Sequence, residues 1–194
     1  MSSPEILELF AARKGHFRFE SGHHGDLWLD IPRAYTNPRR LRNFASQLAR
    51  RMIRHNAELV CGPLVEGALL AQMVAEEMGA EFVFAEQFVR TDPSRLFPTG
   101  YRIPAALRSF LTGKRVAVVD DVINAGSAVR GAIEDLETCG ATVVAIGALM
   151  ARIDQASALA ASKGASLECL APMPASQLWE PPQCPLCTSG IALE

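Results

Sequence analysis

The chain has 194 residues, of which 49% are hydrophobic and 21% charged, and its formal net charge is −2. This composition predicts a soluble globular protein of one domain, and the small net charge excludes nucleic-acid binding driven by bulk electrostatics. No apolar run is long enough to cross a bilayer, and the N-terminal stretch is a charged amphipathic pattern, unlike a signal peptide. Because the five cysteines are an odd number, they argue against a disulfide framework. We therefore expect a cytoplasmic protein that binds neither nucleic acid nor membrane.

The N-terminal quarter of the chain predicts two helices separated by a hairpin. Ser3-Pro4-Glu5 is typical of a helix start and opens a helix to about Arg13. Residues 17–31 alternate apolar and polar side chains around Ser21-Gly22, which indicates two short strands and a turn. Asn37-Pro38 begins the next helix, whose apolar residues recur at helical spacing: Leu41, Phe44, Leu48 and Met52.

From residue 59 onward, apolar strands alternate with helices. We expect strands at 59–61, 81–85, 115–120 and 142–150, and helices at 66–78 and 127–138. Residues 91–103 contain two prolines and a glycine without apolar periodicity, which predicts a mobile loop. A further helix, a short strand and a proline-rich tail complete the chain. Apolar strands that alternate with helices predict an α/β fold, with a parallel sheet covered by helices on both faces.

The segment from Arg115 to Leu136 carries the strongest functional signal. Its apolar run ends at Asp120-Asp121, and the small residues 124–128 then lead into a helical pattern. An acidic turn at a strand end is the plain interpretation of the two aspartates alone. Carboxylates can also accept hydrogen bonds from vicinal hydroxyls, and a small-residue loop that enters a helix offers backbone N–H groups to a phosphate. The combination predicts a phosphorylated ribose as the ligand.

The string VAVVDDVINAGSA resembles the phosphoribosyl pyrophosphate signature of the type I phosphoribosyltransferases. The resemblance implies that Asp120 and Asp121 bind the 2- and 3-hydroxyls of the ribose. It further implies that five residues cradle the 5-phosphate: Asn124, Ala125, Gly126, Ser127 and Ala128. The implied fold is one phosphoribosyltransferase domain over residues 1–194, with a parallel-sheet core at roughly 36–164. A small hood, built from roughly 1–35 and 165–194, would cover this core.

Three further stretches are similar to the orotate branch of that family: GHFRFESGHHGDLWLD, CGPLVEG and ALMARID. CGPLVEG resembles the pyrophosphate loop, which assigns pyrophosphate binding to Gly62, Pro63, Glu66 and Gly67. Arg152 falls where the branch has an arginine that holds the substrate carboxylate. The implied reaction transfers the phosphoribosyl group from 5-phosphoribosyl 1-pyrophosphate to orotate. It gives orotidine 5-phosphate and pyrophosphate, a step of pyrimidine nucleotide synthesis.

The resemblance also implies a catalytic loop, a metal cofactor and a partner subunit. The stretch AEQFVRTDPSRLFPTGYRIP lies where the branch has a flexible loop, so Arg90 is assigned to catalysis and Arg95 to pyrophosphate binding. Residues 91–100 would close over the site and exclude water. Mg²⁺ is the implied cofactor, bound mainly through the substrate, with Asp120 or Asp121 near it or touching it through water. Because this loop often reaches across a dimer, the resemblance implies a homodimer.

Departures from the pattern keep two other functions open. The loop region contains neither lysine nor histidine, Gln87 stands near the usual base lysine, and Glu66 stands where many relatives have lysine. A phosphoribosyltransferase that acts on a different base is one alternative. The other is a non-catalytic regulator that senses phosphoribosyl pyrophosphate or a nucleotide.

The C-terminal part of the chain contains a motif that has no role in the implied reaction. Cys184-Pro185-Leu186-Cys187 has the spacing of metal ligands, but one pair supplies only half of a tetrahedral site. A second pair would come from another subunit or from scattered residues, and a reducible turn disulfide is the competing interpretation. We expect His23 and His24 to be an exposed pair in a turn, and His16 has no partner visible in the sequence.

Overall fold

The computed structural model of the protein describes residues 3–19, 22–89, 99–174 and 176–194. Within these ranges the strands are β1 (Arg13–Arg18), β2 (His24–Trp28), β3 (Leu59–Pro63), β4 (Glu81–Val89), β5 (Thr99–Arg102), β6 (Arg115–Ile123), β7 (Thr142–Ala151), β8 (Ser166–Pro172) and β9 (Leu178–Trp179). The α-helices are α1 (Ser3–Leu9), α2 (Ile31–Ala34), α3 (Pro38–Met52), α4 (Glu66–Met78), α5 (Ala105–Arg108), α6 (Ser127–Thr138), α7 (Ile153–Ser162) and α8 (Pro185–Thr188).

Six strands form a central sheet in the order β5-β4-β3-β6-β7-β8. All neighbours in it are parallel except β5, which pairs antiparallel with β4 at one edge. The middle strands β3 and β6 are buried along most of their length, because helices cover both faces of the sheet. The predicted α/β fold with a parallel sheet is therefore confirmed.

Two apolar layers hold the helices against the sheet. On one face, α6 and α7 bury residues such as Ile133, Leu136 and Leu159 against β3, β6 and β7. On the other face, α3 and α4 bury residues such as Leu48 and Leu70. Among the described residues, none of the helices combines the length and the apolar character that spanning a bilayer requires.

Most predicted elements occur where the periodicity placed them. Helix α3 begins after Asn37, whose side chain accepts a hydrogen bond from the backbone N–H of Arg40, as expected of an N-cap. Helices α4 and α6 span the predicted residues 66–78 and 127–138. These helices have buried apolar residues at helical spacing, and this pattern is the feature that the sequence shows most directly.

Two local predictions were wrong. Residues 99–102, placed in a mobile loop, form strand β5, because β4 continues past Ala85 to Val89 and offers its backbone as a partner. An edge strand that gains its stability from backbone pairing needs no apolar alternation. The first helix ends at Leu9, short of the predicted Arg13, because Arg13 already pairs with Trp28 in a sheet.

A second, three-stranded sheet has the order β1-β2-β9, with antiparallel pairing throughout, and we call it the small sheet. It joins the N-terminal hairpin to residues near the C-terminus. Strand β8 lies within the range 165–194 but pairs with β7 in the central sheet. The division into a core and a hood stays a prediction, with the small sheet as its structural counterpart.

Candidate functional site

The aspartate pair lies inside strand β6, which continues for two residues beyond it to Ile123. Both carboxyl groups are buried, with Asp120 9% and Asp121 5% exposed. The Asp120 carboxylate accepts a hydrogen bond from the backbone N–H of Asp121 at 3.0 Å. The Asp121 carboxylate accepts one from the backbone N–H of Val122 at 2.6 Å and one from the Tyr35 hydroxyl at 3.1 Å. An acidic surface turn is therefore excluded.

Burial and negative neighbours make both carboxyl groups reluctant to ionise. Burial is the largest cause that raises the pKa of Asp120, followed by the charges of Asp121 and Glu66. Burial also raises the pKa of Asp121 to about 7, against the hydrogen bonds from Val122 and Tyr35, which favour the charged form. Burial beside these carboxylates raises the pKa of Tyr35, so its hydroxyl keeps its proton and donates. A ligand that brings hydroxyl donors or positive charge would stabilise the ionised form of such a pair.

The loop after β3 lies against the aspartate pair. Gly62 and Pro63 end the strand, and Glu66 and Gly67 begin helix α4. A Cβ atom on Gly67 would come within 2.5 Å of a carboxylate oxygen of Asp120, so only glycine lets the helix start approach so closely. Pro63, Glu66 and Gly67 line the same cavity as Asp120, whereas Gly62 is not part of its lining. The assignment of these residues to pyrophosphate binding stays a prediction.

The segment after β6 forms the predicted small-residue loop and the start of helix α6. Gly126 precedes the helix with a φ of 75°, a left-handed conformation that favours glycine. The first N–H groups of any helix have no intrahelical acceptor, and they point toward its positive dipole end. The residues predicted to cradle a phosphate all line the cavity: Asn124, Ala125, Gly126, Ser127 and Ala128.

Arg152 connects this loop to the segment that precedes β9. Its Nε donates to the side-chain oxygen of Asn124 at 2.7 Å, and its two terminal nitrogens donate to the backbone carbonyl and the hydroxyl of Ser176 at 2.9 and 3.0 Å. Burial lowers the pKa of this half-buried guanidinium, which still carries its charge at neutral pH. With respect to the described residues, these bonds use three of the five N–H groups, so one on each terminal nitrogen is available to a ligand.

A cavity of about 450 Å³ joins these parts. The end of the small sheet and the residues beside it form an apolar wall opposite the polar loops. This wall consists of Phe19, Leu27, Trp28, Leu29, Ile31, Pro32 and Met173. The Trp28 ring packs on Phe19 with the two ring planes 8° apart. A ligand with an apolar body and a few polar or charged groups suits such a cavity.

The other residues considered in the sequence analysis have different outcomes. Arg90 and Arg95 lie outside the described residues, so their assignments stay predictions. Gln87, noted as a departure, lines the cavity. The expectation for His24 was wrong: it is 6% exposed and lies 3.2 Å from His16, nitrogen to nitrogen. It is buried because the tail folds over the start of β2.

Sequence reasoning missed two polar residues of the site, Tyr35 and Ser176. Tyr35 follows the short helix α2 and reaches Asp121 from far away in the chain. Ser176 lies in the proline-rich segment before β9. Neither residue belongs to a local motif, so only the folded chain brings them to the cavity.

A parallel sheet that carries a buried carboxylate pair beside a helix N-terminus is typical of α/β proteins that handle phosphorylated sugars. The chain belongs to the phosphoribosyltransferase family, since residues 33–170 match the phosphoribosyl transferase domain. Its enzyme class is therefore that of the glycosyltransferases, as predicted.

Relatives specify the branch of this family. The chain is 30% identical to an orotate phosphoribosyltransferase of Caldanaerobacter subterraneus subsp. tengcongensis over 100% of this chain and 96% of the relative. It is 31% identical to that of Thermotoga maritima over 98% and 94%. The crystal structure of orotate phosphoribosyltransferase from Aeropyrum pernix matches the fold with a TM-score of 0.67 and 21% identity, over 89% of this chain and 94% of that one. The predicted orotate branch is confirmed.

Proposed function

We propose that the protein transfers the phosphoribosyl group of 5-phosphoribosyl 1-pyrophosphate to orotate, which gives orotidine 5-phosphate and pyrophosphate. One observation carries the proposal. A buried carboxylate pair, a small-residue loop at a helix start and a half-buried arginine line one cavity. The full-length relatives of the chain are orotate phosphoribosyltransferases. In such an enzyme the carboxylates suit the ribose hydroxyls, the loop suits the 5-phosphate and the arginine suits the carboxylate of orotate.

The ribose phosphate occupies the deepest part of the proposed site. Asp120 and Asp121 accept hydrogen bonds from the 2- and 3-hydroxyls, which donate most strongly to the ionised carboxylates. The backbone N–H groups of residues 124–128 and the Ser127 hydroxyl surround the 5-phosphate, with the start of α6 adding its positive dipole end.

The pyrophosphate lies along Gly62, Pro63, Glu66 and Gly67 in this proposal, with Arg95 from the adjacent loop. Positive charge fits this part of the site, because Glu66 and Asp121 are among the causes that raise the pKa of Asp120. Asp120 and Asp121 would hold Mg²⁺ from one side, directly or through water, and the substrate would hold it from the other. When bound, Mg²⁺ neutralises part of the charge of the departing pyrophosphate.

The base lies between Arg152 and the apolar wall. An available N–H group of Arg152 can donate to a carboxylate oxygen of the base, and the half-buried position strengthens such a charge-assisted hydrogen bond. Trp28 and its apolar neighbours enclose the ring. Asn124 and Ser176 hold the guanidinium in place before the base arrives, so less side-chain entropy is lost on binding.

The residues of the chain act by positioning and by excluding water, and none needs to form a covalent bond. The reaction breaks the bond between the anomeric carbon and pyrophosphate and joins that carbon to a ring nitrogen through an oxocarbenium-like centre. Holding the two reactants in line supplies most of the catalysis. Arg90 is proposed to stabilise the departing pyrophosphate, and residues 91–100 are proposed to close over the site.

We also propose a homodimer located in the cytoplasm. Val65, Leu69 and Val89 are 61%, 43% and 80% exposed at the start of α4 and the end of β4, where a partner subunit would cover apolar surface beside the site. None of the five cysteines forms a disulfide, which suits a reducing compartment. Sedimentation of the purified protein tests the dimer.

Release of pyrophosphate with a panel of bases tests the function. The assay uses purified protein, Mg²⁺, phosphoribosyl pyrophosphate and, in separate reactions, orotate, uracil, adenine or hypoxanthine. We expect turnover with orotate alone. Turnover with another base would show that this base, and not orotate, is the acceptor. Binding of phosphoribosyl pyrophosphate without turnover on any base would favour the sensing regulator.

The variant Arg152→Ala tests whether Arg152 recognises the base or only supports the fold. We expect kcat/KM for orotate to fall about 10- to 100-fold, because a charged hydrogen-bonded pair is lost, with little change in KM for phosphoribosyl pyrophosphate. Ser176→Ala is the matched control, since it removes an acceptor of Arg152 but keeps the guanidinium, and its effect should be under about tenfold. Equal losses in the two variants would mean that Arg152 only supports the fold.

A further inference from the structure

Four metal-ligating side chains converge outside the cavity, on the side of the small sheet next to the tail, which we define as residues 180–194. They are His16, His24, Cys184 and Cys187, and one ligand atom of each lies within 4.8 Å of the others. His16, His24 and Cys184 are buried. The phosphoribosyltransferase chemistry uses none of the four.

Four of the distances between these atoms match those around a tetrahedral metal ion. His16 Nε2 and His24 Nδ1 are 3.2 Å apart, and Cys187 Sγ lies 3.2 Å from His24 Nδ1 and 3.7 Å from His16 Nε2. Cys184 Sγ lies 3.4 Å from His16 Nε2. A tetrahedral zinc ion with usual bond lengths places two nitrogens about 3.3 Å apart, and a nitrogen and a sulfur about 3.5 Å apart.

The hydrogen bonding of His16 also suits a metal. Its Nδ1 lies 2.7 Å from the backbone carbonyl of Ile191, which can only accept, so in the neutral ring Nδ1 carries the hydrogen and Nε2 presents a lone pair. Hydrogen bonding of the second ring nitrogen to a carbonyl is the usual support of a metal-bound histidine. Three neighbours then converge on a single lone pair at Nε2, an arrangement that a shared cation satisfies better than hydrogen bonds do.

Local backbone structure aims the four side chains at one point. The pairing of β1 with β2 shifts between Lys14 and Phe17, and the consecutive residues His16 and Phe17 are both buried there. Such an irregularity turns an extra side chain to one face of a strand. On the other side, helix α8 places Cys184 and Cys187 one turn apart.

The tail needs such a link, because it buries little apolar surface of its own. Among residues 180–194, Cys184 is buried, Leu186 is partly buried and most others are exposed. The tail is also held by the backbone N–H of Glu194, which donates to the backbone carbonyl of His16 at 2.9 Å, and by an exposed ion pair of Glu194 with Arg13. Exposed ion pairs contribute little, and short segments without a core commonly rely on a metal.

We propose that His16, His24, Cys184 and Cys187 bind one structural zinc ion that fastens the tail to the small sheet. A set of two thiolates and two imidazoles in a tetrahedral arrangement selects zinc. Because all four positions are filled by the protein, the ion has no place for substrate and its role is structural. The ion stabilises the sheet from which Leu27 and Trp28 face the cavity.

Metal analysis of the untagged protein, purified under reducing conditions, tests the site directly. We expect one zinc per chain in the wild type, and replacement by Co²⁺ should give the visible absorption of a tetrahedral cobalt thiolate site. Cys187→Ser and His24→Gln should lose the zinc. Cys187→His keeps a ligand and should retain it, and Cys169→Ser is the matched control because Cys169 lies outside the cluster.

A second measurement covers the case in which a variant fails to fold. Removing zinc from the wild type with a chelator should speed hydrogen exchange of β1, β2 and the tail by about tenfold or more, while the central sheet keeps its protection. A wild type with neither zinc nor the cobalt spectrum, a Cys184–Cys187 disulfide, iron in place of zinc, or full zinc in folded Cys187→Ser would each overturn the proposal. Because these readouts do not involve turnover, they are independent of the proposed function.

Discussion

The carboxyl edge of the central sheet and the small sheet bury their polar groups for different purposes. Asp120 and Asp121 lie in a strand enclosed by two apolar layers, so the surrounding core supplies the stability and leaves the carboxylates for a ligand. In the small sheet, the buried histidines meet the two cysteines of the tail and so form the contact with the tail themselves. The comparison predicts that the aspartate pair serves a ligand, because apolar packing already holds its strand, and that the histidine–cysteine cluster serves structure, because apolar packing around the tail is scarce.

A core substitution should separate the two regions most strongly. Leu48 is fully buried beneath the central sheet, and we expect Leu48→Ala to lower the free energy of unfolding by about 2–5 kcal/mol through lost burial and a cavity. Its zinc content should stay that of the wild type. Denaturant titration and metal analysis measure the two quantities.

Leu193→Ala is the control for this substitution, since Leu193 is 45% exposed in the tail and its loss should change stability by less than about 0.5 kcal/mol. If Leu48→Ala also lost zinc, the two regions would fold as one unit and the comparison would fail.

The next largest effect concerns the aspartate pair. Asp120→Asn keeps an oxygen that can accept from the N–H of Asp121 and removes a carboxyl group that burial makes costly to ionise, so the melting temperature at neutral pH should stay the same or rise. We expect kcat/KM to fall about 10- to 100-fold, because hydrogen bonds to an ionised carboxylate are lost. Thermal unfolding and steady-state kinetics test both halves, with the exposed Asp154→Asn as a control. A lower melting temperature would show that the pair stabilises the fold.

The smallest expected effect is a pH dependence of the affinity for phosphoribosyl pyrophosphate, which arises from Asp121 and which the Tyr35 hydroxyl shifts. The folded pKa of Asp121, about 7, lies above its unfolded value, so Asp121 weakens stability as pH rises from about 4 to 7. Substrate hydroxyls favour the ionised form, so affinity for phosphoribosyl pyrophosphate should rise across neutral pH and level off above it. Calorimetric titrations at several pH values measure this.

Tyr35→Phe should move that pH profile upward. The Tyr35 hydroxyl favours the ionised form of Asp121, and without it affinity at neutral pH should fall about two- to tenfold, with the difference vanishing at high pH. Tyr101→Phe removes the only other tyrosine hydroxyl and should leave the midpoint of the profile in place. An unshifted midpoint in Tyr35→Phe would mean that the hydroxyl does not act on Asp121.

The sequence predicted the parts of the molecule that depend on neighbours along the chain. The string from Val116 to Ala128 contains its strand, carboxylates and helix start in order, and helices α3, α4 and α6 show their buried faces as periodicity. Arg152 was found because it directly follows an apolar strand.

Contacts between distant parts of the chain could not be predicted in this way. Tyr35 reaches Asp121, and the histidines at 16 and 24 meet cysteines at 184 and 187, only after the chain has folded. Strand β5 escaped prediction because its stability comes from the backbone of β4. The CxxC spacing indicated two ligands of the proposed metal site, but no local pattern indicated the two histidines.

The position of Arg152 has a consequence for the order and coupling of ligand binding. Its guanidinium is held at one end by Asn124 of the phosphate loop and at the other by Ser176 beside the small sheet. If the proposed roles hold, a phosphate that reorients Asn124 will also change the alignment of the Arg152 guanidinium toward the base. Occupancy of one subsite should therefore alter affinity at the other, and thermodynamic linkage requires that the effect be equal in both directions.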